Sequence, residues 1–266
     1  MQVLDKGFVK LISFMGNDDA VCEAARCSTG SDGKNNAGLI DYLMRHAHTS
    51  PFEFVEFVFN IKCPIFVMRQ LIRHRTASVN EKSLRYSEAT DEFYLPTAEE
   101  IRKQSTKNMQ MTNENADTEV SKAFCYELSQ FTEDSFSLYE KSLQGGVSRE
   151  QARMTLPVNL YTEFYWKLDA HNLLHFLKLR MDKHAQKEIR VFADAIYSII
   201  KPIIPNICAS FEDHILNAIT LSQKEQIVLF GMLKNMGFDK DEYSKKLKAI
   251  GITGGRLQEC LDKIPA

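Results

Sequence analysis

The run Phe52-Glu53-Phe54-Val55-Glu56-Phe57-Val58-Phe59-Asn60-Ile61 constrains the fold more than any other stretch of the chain. With a period of two it places Phe52, Phe54, Glu56 and Val58 on one side and Val55, Phe57, Phe59 and Ile61 on the other. The second side is made wholly of large apolar groups, and such a face is stable only beneath helices or another sheet. A strand here therefore demands a layered core. Phe8 to Phe14 alternates well enough to be a second strand.

Helical patterns surround these strands. Asp18 or Asp19 is placed to cap a short helix through Ala24–Arg26, and Asn35 or Asn36 to cap another carrying Leu39 and Leu43, stopped by Pro51. Pro64 suits the first position of a helix whose stripe is Ile65, Met68 and Ile72. Residues 99–115 are polar and poorly patterned, a broken helix or loop. A long helix follows over about Asp117–Leu143, with Val120, Phe124, Leu128, Phe131, Leu138 and Tyr139 as its apolar contacts, ended by Gly145-Gly146. Ser148 with Gln151 has the form of a capping box, as does Ser222 with Glu225. Tyr161 to Leu168 is aromatic-rich, about 170–179 reads as helix, and a further helix covers about 182–200 before Pro202 and Pro205. Residues 222–266 hold two or three short helices, a helical extension to a main domain spanning 1–221. With no internal repeat and no βαβ alternation, the fold class is α+β, a small antiparallel or mixed sheet packed with long helices.

Composition removes several classes of function. The 266 residues carry 33 basic and 35 acidic groups, a net charge of -2, where a general nucleic-acid binder shows a basic excess. No stretch of 18 apolar residues is present to span a membrane, and Asp5 and Lys6 interrupt any secretory signal, so a cytoplasmic protein is expected. The six cysteines, at 22, 27, 63, 125, 208 and 260, form no C-x-x-C pair and read as plain thiols.

Against that near-neutral background, residues 69–87 stand apart. Arg69, Arg73, Arg75, Lys82 and Arg85 face the single acid Glu81, a local charge of +4 that leaves -6 for the rest of the chain. A solvated surface favours lysine and glutamate. Here arginine is interleaved with Ser78, Asn80, Ser83 and Tyr86, and the planar guanidinium fork matches phosphate bidentately. Phosphate or pyrophosphate is the better account. Glu150 and Arg153, one turn apart, read alone as a surface ion pair. His171 and His175 share a helix face at i,i+4 but lack the intervening glutamate of H-E-x-x-H, so packing or hydrogen bonding is expected of them and no metal. Neither G-x-G-x-x-G nor G-x-x-x-x-G-K-[ST] occurs, which leaves a Rossmann framework and a P-loop unsupported.

Arg73-His74-Arg75, seven intervening residues, then Ser83 resembles the R-H-R-x(7)-S signature of the flavin-dependent thymidylate synthases, the ThyX family. The similarity extends through Gln70, Asn80-Glu81 and Arg85-Tyr86, and to Pro51-Phe52-Glu53, Pro64–Val67, Arg149-Glu150-x-x-Arg153, Leu156–Tyr161 and Leu179-Arg180 before His184-Ala185-Gln186, over about residues 1–215. The resemblance implies a ThyX-like fold and a homotetramer that binds FAD at sites shared between subunits. It implies methylation of dUMP to dTMP with 5,10-methylenetetrahydrofolate as carbon donor and NADPH as reductant, reduced flavin supplying the hydride. Two readings compete with it: an NAD(P)H-flavin oxidoreductase without methyl transfer, and an inactive nucleotide-sensing relative. The second should have lost Ser83 or Arg180, and both are present.

By the same resemblance His48, Ser50, Arg73, His74, Arg75 and Glu81 are flavin contacts, joined by Asp169, His171 and His175. Gln70, Ser83, Arg85, Glu150, Arg153 and Arg180 resemble the dUMP positions. Arg180 and Ser83 are the residues nearest the chemistry, Arg180 stabilising negative charge on the pyrimidine as its ring carbon becomes nucleophilic. Neither Ser83 nor a cysteine acts as a covalent nucleophile in that family. Asp169 departs most from the family pattern, putting a carboxylate where an amide is usual.

Overall fold

The computed structural model describes residues 1–28, 30, 33–106 and 112–264. It divides into two compact units, Met1–Asn217 and Ala218–Ala266. In the first, β1 (Gln2–Val3), β2 (Gly7–Met15), β3 (Glu56–Pro64), β4 (Ser78–Glu81) and β7 (Tyr161–Asp169) form one antiparallel sheet in the order β1-β2-β3-β7-β4. Two shorter strands, β5 (Arg102–Gln104) and β6 (Thr112–Asn115), pair separately. The helices of this unit are α1 (Asp18–Cys27), α2 (Asn36–Arg45), α3 (Ile65–Leu71), α4 (Thr118–Gln144), α5 (Arg149–Ala152), α6 (Ala170–Arg180), α7 (Lys187–Ile200) and α8 (Pro205–Phe211).

The apolar face read from the sequence is the covered one. Three cross-strand rows, Val9–Ile61–Phe164, Leu11–Phe59–Trp166 and Phe14–Phe57–Leu168, run across β2, β3 and β7, buried except for half-buried Leu11 and exposed Phe14. Helices α3, α6 and α7 lie on the sheet, and α7 buries Ile189, Phe192, Ala193, Ile196 and Ile200 at helical spacing. Burying an aromatic of this size contributes about 1.5–3 kcal/mol, so these rows hold the unit together. Glu163, Tyr165 and Lys167 on the opposite face are exposed. Gly7 is required where β1 folds back, because a Cβ there would lie 2.6 Å from the Val3 carbonyl oxygen.

Several local expectations change. The strand begins at Glu56 rather than Phe52, because Ser50–Phe54 is a 3-10 turn with Pro51 at its start. Asn17, not Asp18 or Asp19, caps α1. Helix α2 ends before Pro51 is reached: the His48 N–H reaches the Leu43 carbonyl and the Ala47 N–H that of Met44, with Ala47 left-handed at φ 54°. This is the Schellman closure, with alanine where glycine is usual. In α3 the buried residues are Val67, Met68 and Leu71, while Ile72 is exposed. Residues 182–185 form a turn, so the helix expected from 182 begins at Lys187. Within 99–115 a 3-10 turn and the β5–β6 pair stand in place of a broken helix, residues 107–111 lying outside the described ones. Ser148 is the N-cap of α5 but its hydroxyl meets only the Gln151 side chain, at 3.5 Å, so the box does not form. Helix α4 follows the expected face only in part: Tyr139 is buried and Leu128 half-buried as expected, but Val120, Phe124, Phe131 and Leu138 are exposed while Ser121, Thr132 and Ser135 are buried.

The second unit holds α9 (Gln223–Asn235), α10 (Lys240–Ala249) and α11 (Gly254–Asp262). Ser222 and Glu225 form the capping box read from the sequence. Among the described residues no helix is long and apolar enough to cross a membrane.

Candidate active site

The arginine-rich signature is divided by strand β4. Its first half, Arg73-His74-Arg75, forms the turn after α3, where the His74 N–H donates to the Leu71 carbonyl at 3.0 Å. The chain then pairs along β7 from Ser78 to Glu81 and turns again at Ser83. Four paired residues span about 13 Å. The seven-residue spacer is thus a strand edge holding two basic turns apart, one against α6 and one beside α5.

The first turn and α6 enclose a cleft of about 500 Å³ lined by Arg73, His74, Arg75, Thr76, His171, Asn172, His175, Leu179 and Arg180. No carboxylate lines it, and among the described residues none forms an ion pair with Arg73, Arg75 or Arg180. Three guanidiniums without a counter-charge leave a strongly positive wall, complementary to a pyrophosphate. Arg180 Nε donates to His74 Nε2 at 3.1 Å. Burial first, then the nearby Arg180 and His175, pull His74 down to about 4, so it is a neutral acceptor at physiological pH.

The second turn contributes to a cleft of about 420 Å³ whose polar lining includes Arg69, Glu81, Lys82, Ser83, Arg153 and Thr162 over an apolar floor that includes Ile65, Leu156, Val158 and Leu160. Glu81 accepts a 2.6 Å bond from the Thr162 hydroxyl. Arg85 pairs with Glu150 at 3.2 Å, and Arg153 Nε donates to the Glu150 carbonyl. Gln70 Nε2 donates to Gln186 Oε1 at 2.6 Å. A floor for a ring beneath a rim of cations is the chemistry of a nucleotide site.

The expected residues thus fall into three places. Arg73, His74, Arg75, His171, His175 and Arg180 share the first cleft, and Glu81, Ser83 and Arg153 the second. His48, Ser50, Gln70, Arg85, Glu150 and Asp169 line neither. His48 lies with His46 and Tyr42 in a ring cluster of 4.3–6.1 Å centroid separations beside the left-handed Ala47. Asp169 is the N-cap of α6: Oδ1 accepts from the Asn172 N–H at 2.9 Å and Oδ2 from the Asn172 amide at 2.7 Å. Its carboxylate is explained by helix capping. Arg69, Asn172 and Gln186 were not among the expected site residues. Arg69 had a signal, one turn before Arg73 in the basic run; Gln186 belonged to a matched block; Asn172 stands beside His171 in the candidate run from Asp169 to His175. A larger cavity of about 670 Å³ lies within the second unit, among Ile227, Phe230, Leu233 and Phe238, and holds none of the signature residues.

Fold and clefts define a protein that binds phosphate-bearing small molecules on an α+β scaffold. Residues 10–206 match the family model described as "Thymidylate synthase complementing protein". The chain is 49% identical over 265 residues to the flavin-dependent thymidylate synthase of Thermus thermophilus, covering 98% of this chain and 94% of that one. To the enzyme of the same name from Wolbachia pipientis wMel it is 46% identical, covering 98% and 92%. The crystal structure of the UMP/dUMP methylase PolB from Streptomyces cacaoi bound with 5-Br UMP superposes with a TM-score of 0.73 at 33% identity, over 80% of this chain and 96% of that one. The chain belongs to the flavin-dependent thymidylate synthase family.

Proposed function

We propose that the chain methylates dUMP to dTMP with FAD, taking the carbon from 5,10-methylenetetrahydrofolate and reducing equivalents from NADPH, as a homotetramer whose protomers share each site. The observation that carries this reading is the separation of Arg180 and Ser83. The two residues assigned to the chemistry line different clefts of one chain, so a site using both is completed by a second copy.

The residues of the first cleft fit FAD. Arg73 and Arg75 supply forks for its pyrophosphate, and the imidazoles of His171 and His175 supply flat, polar walls. Glu81 belongs to the same cofactor across the protomer boundary, with His48, Ser50 and Asp169 at its margin. The flavin, when bound, supplies the hydride. The second cleft takes the nucleotide: Arg153 and Arg85 meet its phosphate, Ser83 and Gln70 its sugar and base, and Glu150 orients Arg85. Arg180 stabilises the negative charge that develops on the pyrimidine. Helix α4 supports self-association, since its exposed Phe124, Phe131 and Leu138 recur every seven residues, the spacing of a helix–helix seam. Residues 222–266 are a helical extension to the synthase domain that assembly and turnover do not need.

The test is direct detection of dTMP from dUMP by the purified protein, omitting FAD, methylenetetrahydrofolate and NADPH in turn, with light scattering on the same sample. Product dependent on all three, from a tetramer, is the expected result. Flavin reduction without dTMP would replace this reading with a plain flavin oxidoreductase. The chain lacking 222–266 is expected to assemble and turn over.

A further inference from the structure

Arginine at the end of a helix is a loose tool. Its side chain carries about 2 kcal/mol of rotamer entropy, and a guanidinium that must meet charge developing on one ring cannot wander. Arg180 is the last residue of α6. Among the described residues its guanidinium has one hydrogen-bond partner, His74 Nε2. A guanidinium has no acceptor atom, so His74 must accept at Nε2 and carry its proton on Nδ1. The ring is itself held: its plane stands edge-on to Phe176 at 5.0 Å and 85°, and to His175 at 6.0 Å and 64°. Phe176, fully buried, stands edge-on in turn to buried Trp166 at 5.1 Å on β7. A rigid line therefore runs from the sheet through Trp166, Phe176 and His74 to Arg180. Because the bond takes Nε, the four N–H groups on Nη1 and Nη2 are left for the ligand in the cleft that both residues line.

We propose that His74 is a positioning residue for Arg180, a fixed neutral acceptor that holds the Nε edge so that the Nη edge faces the substrate ring. The inference rests on the reading of Arg180 as the group that meets the pyrimidine. It gives His74 a role separate from any contact with flavin, and explains why histidine stands between two arginines: a third cation would repel Arg180, and an aliphatic residue would free it.

The experiment is a double-mutant cycle on the FAD-loaded enzyme, with His74→Phe and His74→Gln alone and with Arg180→Ala. Steady-state kcat and KM for dUMP, FAD content, and the dUMP-induced change in the flavin absorption band are measured for each. Phenylalanine keeps the ring packing and removes the acceptor; glutamine keeps an acceptor at similar reach and loses the ring. His74→Phe is expected to lower kcat/KM for dUMP about tenfold to a hundredfold with FAD content kept, the scale of a misplaced catalytic group. Glutamine should restore most of that loss, and His74→Phe should cost nothing further once Arg180 is alanine. Additive losses in the cycle, or a loss that tracks FAD content and is not rescued by glutamine, would overturn the clamp and leave His74 a flavin contact or a packing residue. Wild-type enzyme that makes no dTMP would instead overturn the reading of the site, a result visible before any variant is compared.

Discussion

The two clefts are built from one signature yet differ in kind. The one beneath α6 is lined almost wholly by donors, with three arginines that lack an ion-pair partner among the described residues, three imidazoles and no carboxylate. The one beside α5 has an apolar floor, a carboxylate in Glu81, and cations at the rim. Charge without a floor suits the phosphates of an extended cofactor; a floor with a charged rim suits a base on a phosphorylated sugar. Arg180 crosses this division, a residue proposed for the substrate that lines the cleft proposed for the cofactor. The two assignments are reconciled if substrate and cofactor meet there, as proposed, with the second cleft supplied by another protomer.

Replacing one arginine in each cleft would break or sharpen this contrast. Arg180→Ala is expected to lower kcat/KM for dUMP by about a hundredfold to a thousandfold, the cost of losing one preorganised donor at developing charge. FAD should largely remain, held by Arg73 and Arg75. Arg153→Ala should act differently, raising KM for dUMP about tenfold to a hundredfold, as for a lost charge-assisted hydrogen bond, with kcat little changed. Steady-state kinetics with FAD content measured on both variants decides the matter. Equal effects on KM and kcat in the two would mean that the clefts do not divide the labour.

How much of this was legible without coordinates follows from where the information resides. The covered face of β3 was readable because Phe57, Phe59 and Ile61 alternate without exception. The start of that strand was not, because Pro51 and the closure around Ala47 depend on backbone conformation. Helix α4 was located and Tyr139 read correctly as buried, but four of its expected apolar contacts are exposed: Phe124 and Phe131 look like core residues whether they face their own domain or a second copy. The basic run was legible as chemistry, yet β4 inside it was hidden. Ser78-Val79-Asn80-Glu81 has no apolar alternation, its place being set by pairing to β7. Resemblance supplied the roles of Asp169 and Glu81; the capping bonds to Asn172 and the bond from Thr162 required the fold.

Burial of His74, with Arg180 and His175 nearby, also sets a pH dependence. His74 has a folded value of about 4 against an ordinary 6.5. Between those values the unfolded chain binds a proton that the folded chain refuses, so native stability is lost as pH falls through this window and is unaffected above it. Thermal unfolding should show the wild type losing more Tm from pH 7 to 5 than His74→Gln, which has nothing to titrate there. Parallel curves would mean that the ring titrates normally, and that the neutral cleft wall is not fixed.

The smallest expected effect concerns Asp169, where the resemblance leads to the expectation of an amide. Both carboxylate oxygens are engaged by Asn172 at the start of α6, the helix that carries His171, His175 and Arg180. Asparagine caps a helix about as well as aspartate, while alanine costs about 0.5–2 kcal/mol. Asp169→Ala should therefore lower Tm by a few degrees, on the scale of about 2–4 °C per kcal/mol for a domain of this size. Asp169→Asn should stay closer to wild type, because its amide oxygen keeps the cap bond from the Asn172 N–H; it loses the second acceptor, for the Asn172 amide, and the interaction of a full charge with the helix N-terminus, about 0.3–1 kcal/mol. FAD affinity, measured by titration of the apoprotein, separates the cap from a ligand contact. If Asp169 only caps, Asp169→Asn binds FAD as the wild type does. An affinity that rises with Asp169→Asn at unchanged Tm would show that the carboxylate faces the cofactor, at a cost in binding.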